Sequence, residues 1–281
     1  MKKQIYIRRR IRLVCCILLL GVIIVVTFFL AQSAPRAGGS AAAKELSISE
    51  LQKNPYFRAE NRARYAGFAD SHPELSADDV VWRVNAGLDK PFYSNVTEVA
   101  DDGTSPLLVN KYHKLPDGYQ PAQLVKLKSG RLATPETKTA FEKLCAEAKK
   151  AGYTIGDVST YRSISYQDGL YRQYLQKDTN EVVDTYSARP GYSEHHTGRA
   201  LDICGANGDM DRFEGTPEAK WIAENAYRFG FIVRYPKDAM DITGYKYEPW
   251  HITYVGNNVS QTMHDNGIET LEEYFVKYVE K

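Results

Sequence analysis

The sequence predicts an α+β fold, and three observations carry that expectation. From about residue 76 onward, helical patterns and short apolar runs interleave without the regular βαβ rhythm of a parallel sheet. Two helix starts are marked, Thr134 before Pro135 and Thr216 before Pro217, each an N-cap followed by proline at the first helical position. The runs 200–203, 231–235 and 251–255 read as strands. With 43% hydrophobic and 25% charged residues, the composition is that of a folded globular chain.

Three segments precede that domain. Residues 1–12 carry Lys2, Lys3, Arg8, Arg9, Arg10 and Arg12, and no acid occurs before Glu45. Residues 13–31 contain no charge. As a helix, they rise about 28 Å, close to the hydrocarbon thickness of a bilayer. The expectation is a basic cytoplasmic tail over 1–12 and a single transmembrane anchor over 13–32, with the flanking bases holding the N-terminus inside. The body then lies outside the cell membrane. A cleavable signal peptide is the alternative, and it would make the protein secreted. Such a peptide has a shorter apolar core of about 7–15 residues, but Ala31-Gln32-Ser33 offers a weak cleavage site. Cys15 and Cys16 read as small apolar residues of the span or as palmitoylation sites at its edge.

Residues 33–75 are expected as linker or stalk. Their first part is rich in Ala, Gly and Ser, a flexible composition. Ser47 or Ser49 caps a short helix through Leu51, which Lys53-Asn54-Pro55 ends. Residues 56–75 are charged, with room for one more helix. No repeat at a period of 20–50 residues is visible.

Within 76–281 the elements follow in order. Residues 80–85 read as a strand, 91–102 as irregular, and 107–110 as a short apolar run. After Pro135, the residues Phe141, Leu144, Cys145 and Ala148 repeat at helical spacing until Gly152. Residues 153–161 suit a strand, Ser163 or Ser165 caps a helix through Leu175, and 176–190 form a polar loop. The helix after Thr216 aligns Trp221, Ile222, Ala226 and Phe229, and Gly230 stops it. Helices near 256–265 and 270–279 close the chain.

Charge excludes one class of partner. The net +1 contains the six bases of the first twelve residues; the remaining 30 bases face 35 acids, a balance of −5. Such a body has no electrostatic footprint for nucleic acid.

The chemistry concentrates in two motifs, Ser193-Glu194-His195-His196-Thr197-Gly198-Arg199-Ala200-Leu201-Asp202 and Glu248-Pro249-Trp250-His251. His195 and Asp202, seven apart, and His251 of the second motif supply two imidazoles and a carboxylate, a three-ligand set for a catalytic zinc with its fourth position open to water. The remaining carboxylate, Glu248, is then free to act as a base on that water. Residues seven or three apart in a straight strand point to opposite faces. His195 must therefore sit in a loop, with Gly198 turning the chain into a strand that carries Asp202. Pro249 holds Glu248 extended, and a kink there would bring Glu248 and His251 to one side. Taken singly, His195 reads equally as a surface histidine, Asp202 as a strand-end carboxylate and His251 as a core residue.

These motifs resemble the VanY-type zinc D-alanyl-D-alanine carboxypeptidases, whose fold is shared with D-Ala-D-Ala dipeptidases and the hedgehog signalling domain. The resemblance spans about residues 105–260. It includes Ser159-Thr160-Tyr161-Arg162-Ser163, Gln167, Gly230-Phe231-Ile232-Val233-Arg234-Tyr235-Pro236 and Thr243-Gly244-Tyr245. It implies a zinc peptidase domain over 76–281, a small, mostly antiparallel sheet flanked by helices. One Zn2+ per chain would be held by His195, Asp202 and His251, with Glu248 as general base and then acid. Arg162 is implied as a catalytic and substrate-binding cation, and Gln167 and Ser193 as substrate-binding residues. For Arg162 a helix-start salt bridge is the alternative, and for Gln167 and Ser193 a cap or loop bond. His196 falls where the family tolerates several residues and stays outside the metal shell.

The implied function is removal of the terminal D-alanine from peptidoglycan stem peptides, the expected partner besides the membrane. L,D-carboxypeptidase action on tetrapeptide stems and a non-catalytic, zinc-stabilised peptide-binding module are the alternatives. Cys145 and Cys204 are either a disulfide, which an oxidising exterior permits, or two buried thiols.

Overall fold

In a computed structural model that describes residues 46–103 and 106–280, the organising element is a four-stranded antiparallel sheet. Two smaller strand pairs precede it in the chain. Strands β1 (Thr97–Glu98) and β2 (His113–Lys114) make a short parallel pair, and β3 (Val125–Lys126) and β4 (Leu132–Ala133) a short antiparallel one. The main sheet contains β5 (Gly156–Ser159), β6 (Ala200–Cys204), β7 (Phe231–Tyr235) and β8 (Glu248–Tyr254), in the order β5-β6-β8-β7. Separate helices complete the α+β arrangement.

Strand alternation sorts the sheet into two faces. Leu201 and Ile203 of β6, Phe231 of β7 and Ile252 of β8 pack on Phe141, Leu144 and Ala148 of helix Pro135–Lys150 and on Ile222 of helix Pro217–Asn225. Both helices start as the sequence indicates. Thr134 and Thr216 accept from backbone N–H groups three residues on, ahead of the prolines. The opposite face carries Asp202, Arg234, His251 and Thr253, all buried. One face of the sheet thus makes the core, and the other presents ionisable side chains.

The segment expected as a strand over 80–85 is a helix, Ala77–Asn85. Ser76 caps it by accepting from Asp79 N, and Asp78 and Asp79 occupy its first turn, where acids suit the helix dipole. Val80, Val81 and Val84 lie at helical spacing and close a cluster with Leu51, Tyr65 and Phe68. Tertiary packing here overrides the strand preference of branched residues. That cluster also changes the expectation for the linker. Over its described part, it folds into helices Ile48–Leu51 and Arg62–Ser71, both packed in the same core. Lys277 pairs with Asp78 at 2.7 Å and Arg58 with Glu280 at 3.2 Å, so the C-terminal segment grips these helices.

Smaller differences follow the same logic. The strand expected over 153–161 is β5 alone, which carries a register irregularity between Asp157 and Ser159. The loop 176–190 contains one short helix, Asn180–Val183. The basic tail, the span over 13–32 with Cys15 and Cys16, and residues 33–45 of the linker lie outside the described residues. Among the described residues no helix is long and apolar enough to cross a membrane.

Candidate active site and metal centre

His195 lies on a single 3-10 turn, Glu194–Thr197, between strands. Ser193 Oγ caps the turn by accepting from His195 N at 3.3 Å. Gly198 ends it with φ +67°, a left-handed conformation that costs a non-glycine residue roughly 1–2 kcal/mol. Space there is also closed. A Cβ on Gly198 would meet Leu124 Cδ2 at 2.9 Å and Thr134 N at 3.3 Å. The turn directs the His195 ring inward, where Nδ1 donates to the Thr160 carbonyl at 2.7 Å. Nε2 is left buried with no hydrogen-bond partner, 3.3 Å from Asp202 Oδ2. Burial and the nearby Arg162 charge push the His195 pKa down to about 4, which keeps that nitrogen a free lone pair at neutral pH.

Asp202 and His251 are direct partners across β6 and β8, with Asp202 Oδ1 3.1 Å from His251 Nδ1. Further along, β7 advances two residues, from Val233 to Tyr235, while β8 covers four, from Ile252 to Glu248. The extra residues bulge at Pro249-Trp250, and Glu248 and His251 line the same cleft. The two histidine rings stand at 85° to one another, centroids 4.9 Å apart.

One ligand atom each from His195, Asp202 and His251 lies within 4.8 Å of the others, and all three residues are buried. Ligands around a tetrahedral zinc lie about 3.3–3.6 Å apart, so the donor set and its spacing fit the ion. The electrostatics agree. Against burial, the flanking imidazoles keep Asp202 well below the usual carboxylate range. Burial also opposes a charge on His251, yet the Asp202 and Glu194 carboxylates carry its pKa up to about 9. The pocket favours positive charge at its centre.

Glu248 Oε2 lies 3.8 Å from His251 Nδ1, at the edge of this set. Burial, reinforced by Asp202 and opposed by His251 and Arg162, pushes its pKa up to about 7. The Arg162 guanidinium donates to Gln167 Oε1 at 2.9 Å and to Asp202 Oδ2 at 3.1 Å. Its Nε is buried without a partner. Gln167 in turn donates to Ser187 Oγ and Ala188 O, which fixes its amide. Arg162, Gln167, Ser193, Glu248 and the three candidate ligands all line one cleft of about 280 Å³, walled by Tyr235, Tyr245 and Trp250.

Comparisons with known proteins place the chain among carboxypeptidases. A family profile described as VanY, D-alanyl-D-alanine carboxypeptidase, matches residues 131–257. The YodJ protein of Bacillus subtilis (strain 168) is 33% identical over 257 residues, 84% of this chain and 91% of YodJ. The LdcB LD-carboxypeptidase is 36% identical with a TM-score of 0.61, over 65% of this chain and 90% of LdcB. A mutant of the vancomycin-resistance D,D-pentapeptidase VanY, solved with Zn(II), is 32% identical with a TM-score of 0.53, over 60% of this chain and 97% of that one. The chain belongs to the VanY D-alanyl-D-alanine carboxypeptidase family.

As a VanY-family carboxypeptidase, it brings together every site residue that the sequence singles out, but Gln167 and Ser193 are committed to internal bonds. Gln167 holds Arg162, and Ser193 caps the turn of His195. His196 is buried and turned away. Its Nδ1 donates to Arg162 O at 2.7 Å, and its Nε2 accepts from Gly191 N at 3.2 Å. Cys145 and Cys204 are free thiols, each directed at a backbone carbonyl, Ile155 O and Gly156 O.

Sequence reasoning missed the charges behind the metal centre of this VanY-family member. Glu194 Oε2 lies 3.4 Å from His251 Nε2 and accepts from Thr253 Oγ1 at 2.6 Å. Glu194 Oε1 accepts from Arg234 Nε at 2.6 Å. A signal was present: Arg234 interrupts the apolar run of β7, and a charge inside a strand calls for a buried partner.

Proposed function

We propose that this chain is a zinc-dependent carboxypeptidase of the cell exterior that removes the C-terminal D-alanine from peptidoglycan stem peptides. Residues 13–32 hold it to the membrane. The observation that supports this most directly is that Glu248, with its raised pKa, shares one cleft with the buried His-Asp-His set and the Arg162 fork. His195, Asp202 and His251 hold the zinc. When bound, zinc lowers the pKa of a water to about 7 and polarises the scissile carbonyl.

Glu248 takes the proton of the attacking water and returns it to the departing amine of D-alanine. Burial lifts its pKa from the ordinary carboxylate value toward the working pH, which suits a group that must both accept and give a proton. The planar, cationic fork of Arg162 matches a carboxylate. It receives the free C-terminal carboxylate and so selects the end of a peptide. Gln167 holds that fork in place, and Ser193 adds a hydroxyl at the cleft wall. A non-catalytic module has no use for a carboxylate beside the metal, which counts against that alternative.

The likeness to LdcB favours a second reading, L,D-carboxypeptidase action on tetrapeptide stems. Mass spectrometry of purified pentapeptide and tetrapeptide muropeptides after incubation with the zinc-loaded protein separates the two. Loss of one alanine from the pentapeptide alone supports D,D specificity, and loss from the tetrapeptide supports L,D specificity. Intact substrates in both reactions would sink the enzymatic reading.

A further inference from the structure

The metal centre is backed by a chain of buried charges that reaches past the segment matched by the family profile. Helix Leu271–Tyr274 buries Leu271 against Ile232 of β7 and Val255 just after β8. The next residue, Glu272, is thereby placed under Arg234. Its carboxylate takes both terminal nitrogens of Arg234, at 2.8 and 3.0 Å, and accepts from Asn110 Nδ2 at 3.0 Å. Arg234 passes its third donor, Nε, to Glu194, whose other oxygen faces His251 Nε2. Arg234, Glu194 and Glu272 are at most 2% exposed.

We infer that Glu272 is a positioning residue of the metal centre, acting through Arg234 and Glu194 to orient His251. The Arg234 fork is planar, so a bidentate partner on its terminal nitrogens fixes the direction of Nε. That direction sets Glu194, and a carboxylate on Nε2 of a ligating histidine fixes its tautomer and leaves Nδ1 free for the metal. Charge makes the same point. Glu272, Glu194, Asp202 and Glu248 are four buried carboxylates, and Arg234 and Arg162 offer two guanidinium groups. Without Glu272, the Arg234 charge falls wholly on Glu194 and draws it from His251.

This inference rests on His195, Asp202 and His251 binding zinc, and the test keeps the two claims apart. Zinc affinity is measured by chelator competition on the full chain and on Glu272→Gln, Glu272→Asp and Thr253→Val, each with a metal-free unfolding curve. If the wild-type chain binds no zinc, the metal reading itself fails. If it binds, Glu272→Gln should weaken affinity about 10- to 100-fold, the usual cost of removing an outer-shell partner. Glu272→Asp, which keeps the charge, should stay within about threefold by the same reasoning. The d–d spectrum of the cobalt-substituted Glu272→Gln protein should shift as well. Thr253→Val leaves Glu272 in place and frees Glu194, so it should weaken zinc binding even if Glu272→Gln fails to fold. Wild-type affinity in folded Glu272→Gln, equal losses in Gln and Asp variants, or an unchanged Thr253→Val protein would each overturn the inference.

Discussion

The Nδ1 of His195 donates to the carbonyl of Thr160 at 2.7 Å, and this bond decides which nitrogen of the ring faces Asp202. His251 is arranged the other way round, with Nε2 toward Glu194 and Nδ1 toward Asp202. Two histidines thus present different nitrogens to one point, each fixed by an acceptor behind it. The free donors meet because the turn ending at Gly198 and the bulge in β8 bring them there, not because of strand periodicity.

The first prediction concerns the metal. Wild-type protein should carry one zinc per chain by elemental analysis. The double variant His195→Ala, His251→Ala leaves one carboxylate of a three-ligand set and should carry essentially none. A full complement in that variant would sink the ligand assignment.

Glu248 should be separable from the ligands. Glu248→Gln preserves shape but cannot move a proton, a contribution commonly worth about 10²–10⁴-fold. D-alanine release should fall by that order while zinc content stays at one per chain. Near-wild-type release would mean that the Glu-Pro-Trp-His segment has a binding or structural role instead.

Much of this site was legible in the sequence, because ligands need particular side chains at particular separations. The turn at Gly198 and the irregular start of β8 followed from the face rule alone. The charges behind the site were not legible, since Glu194, Arg234 and Glu272 meet only through the sheet, at separations of 38 to 40 residues. The N-terminal helices were hidden for another reason. Val80, Val81 and Val84 have strand-like side chains, and only their burial against Tyr65 and Phe68 makes the helix the better solution.

Membrane attachment is a separate expectation. The nineteen uncharged residues after six bases predict that full-length protein stays in the membrane fraction through a high-salt wash. A mature form in the medium beginning near Ala34 would show that the segment is a cleaved signal peptide.

The pH dependence follows from Glu248. Its ordinary pKa of 4.5 is pushed up to about 7, by burial first. The base form is the ionised one, so kcat/KM must fall as pH drops through the pKa. A bound dication favours the carboxylate, which moves that acid limb below 7 and toward 4.5. The limb should therefore lie between those values, measured with zinc content followed in parallel. Activity that falls only where zinc is lost would assign the limb to the ligands and not to Glu248.

The last prediction concerns Gln167, which is 1% exposed and spends its amide on Arg162, Ser187 and Ala188. Gln167→Met keeps nearly the same volume and removes the acceptor that holds one arm of the guanidinium. Arg162 then keeps only Asp202, and its fork is free to turn toward that carboxylate. A hydrogen bond to a charged group contributes about 1.5–3 kcal/mol, so the substrate's carboxylate should be held roughly 10- to 100-fold less well. Because Glu248 and the ligands are untouched, the loss should appear in KM more than in kcat, with zinc content unchanged. Arg162→Lys keeps the charge but loses the fork, and it should raise KM in the same direction. If Gln167→Met leaves KM as it is, the amide only packs the wall of the cleft, and Arg162 takes its orientation from Asp202 alone.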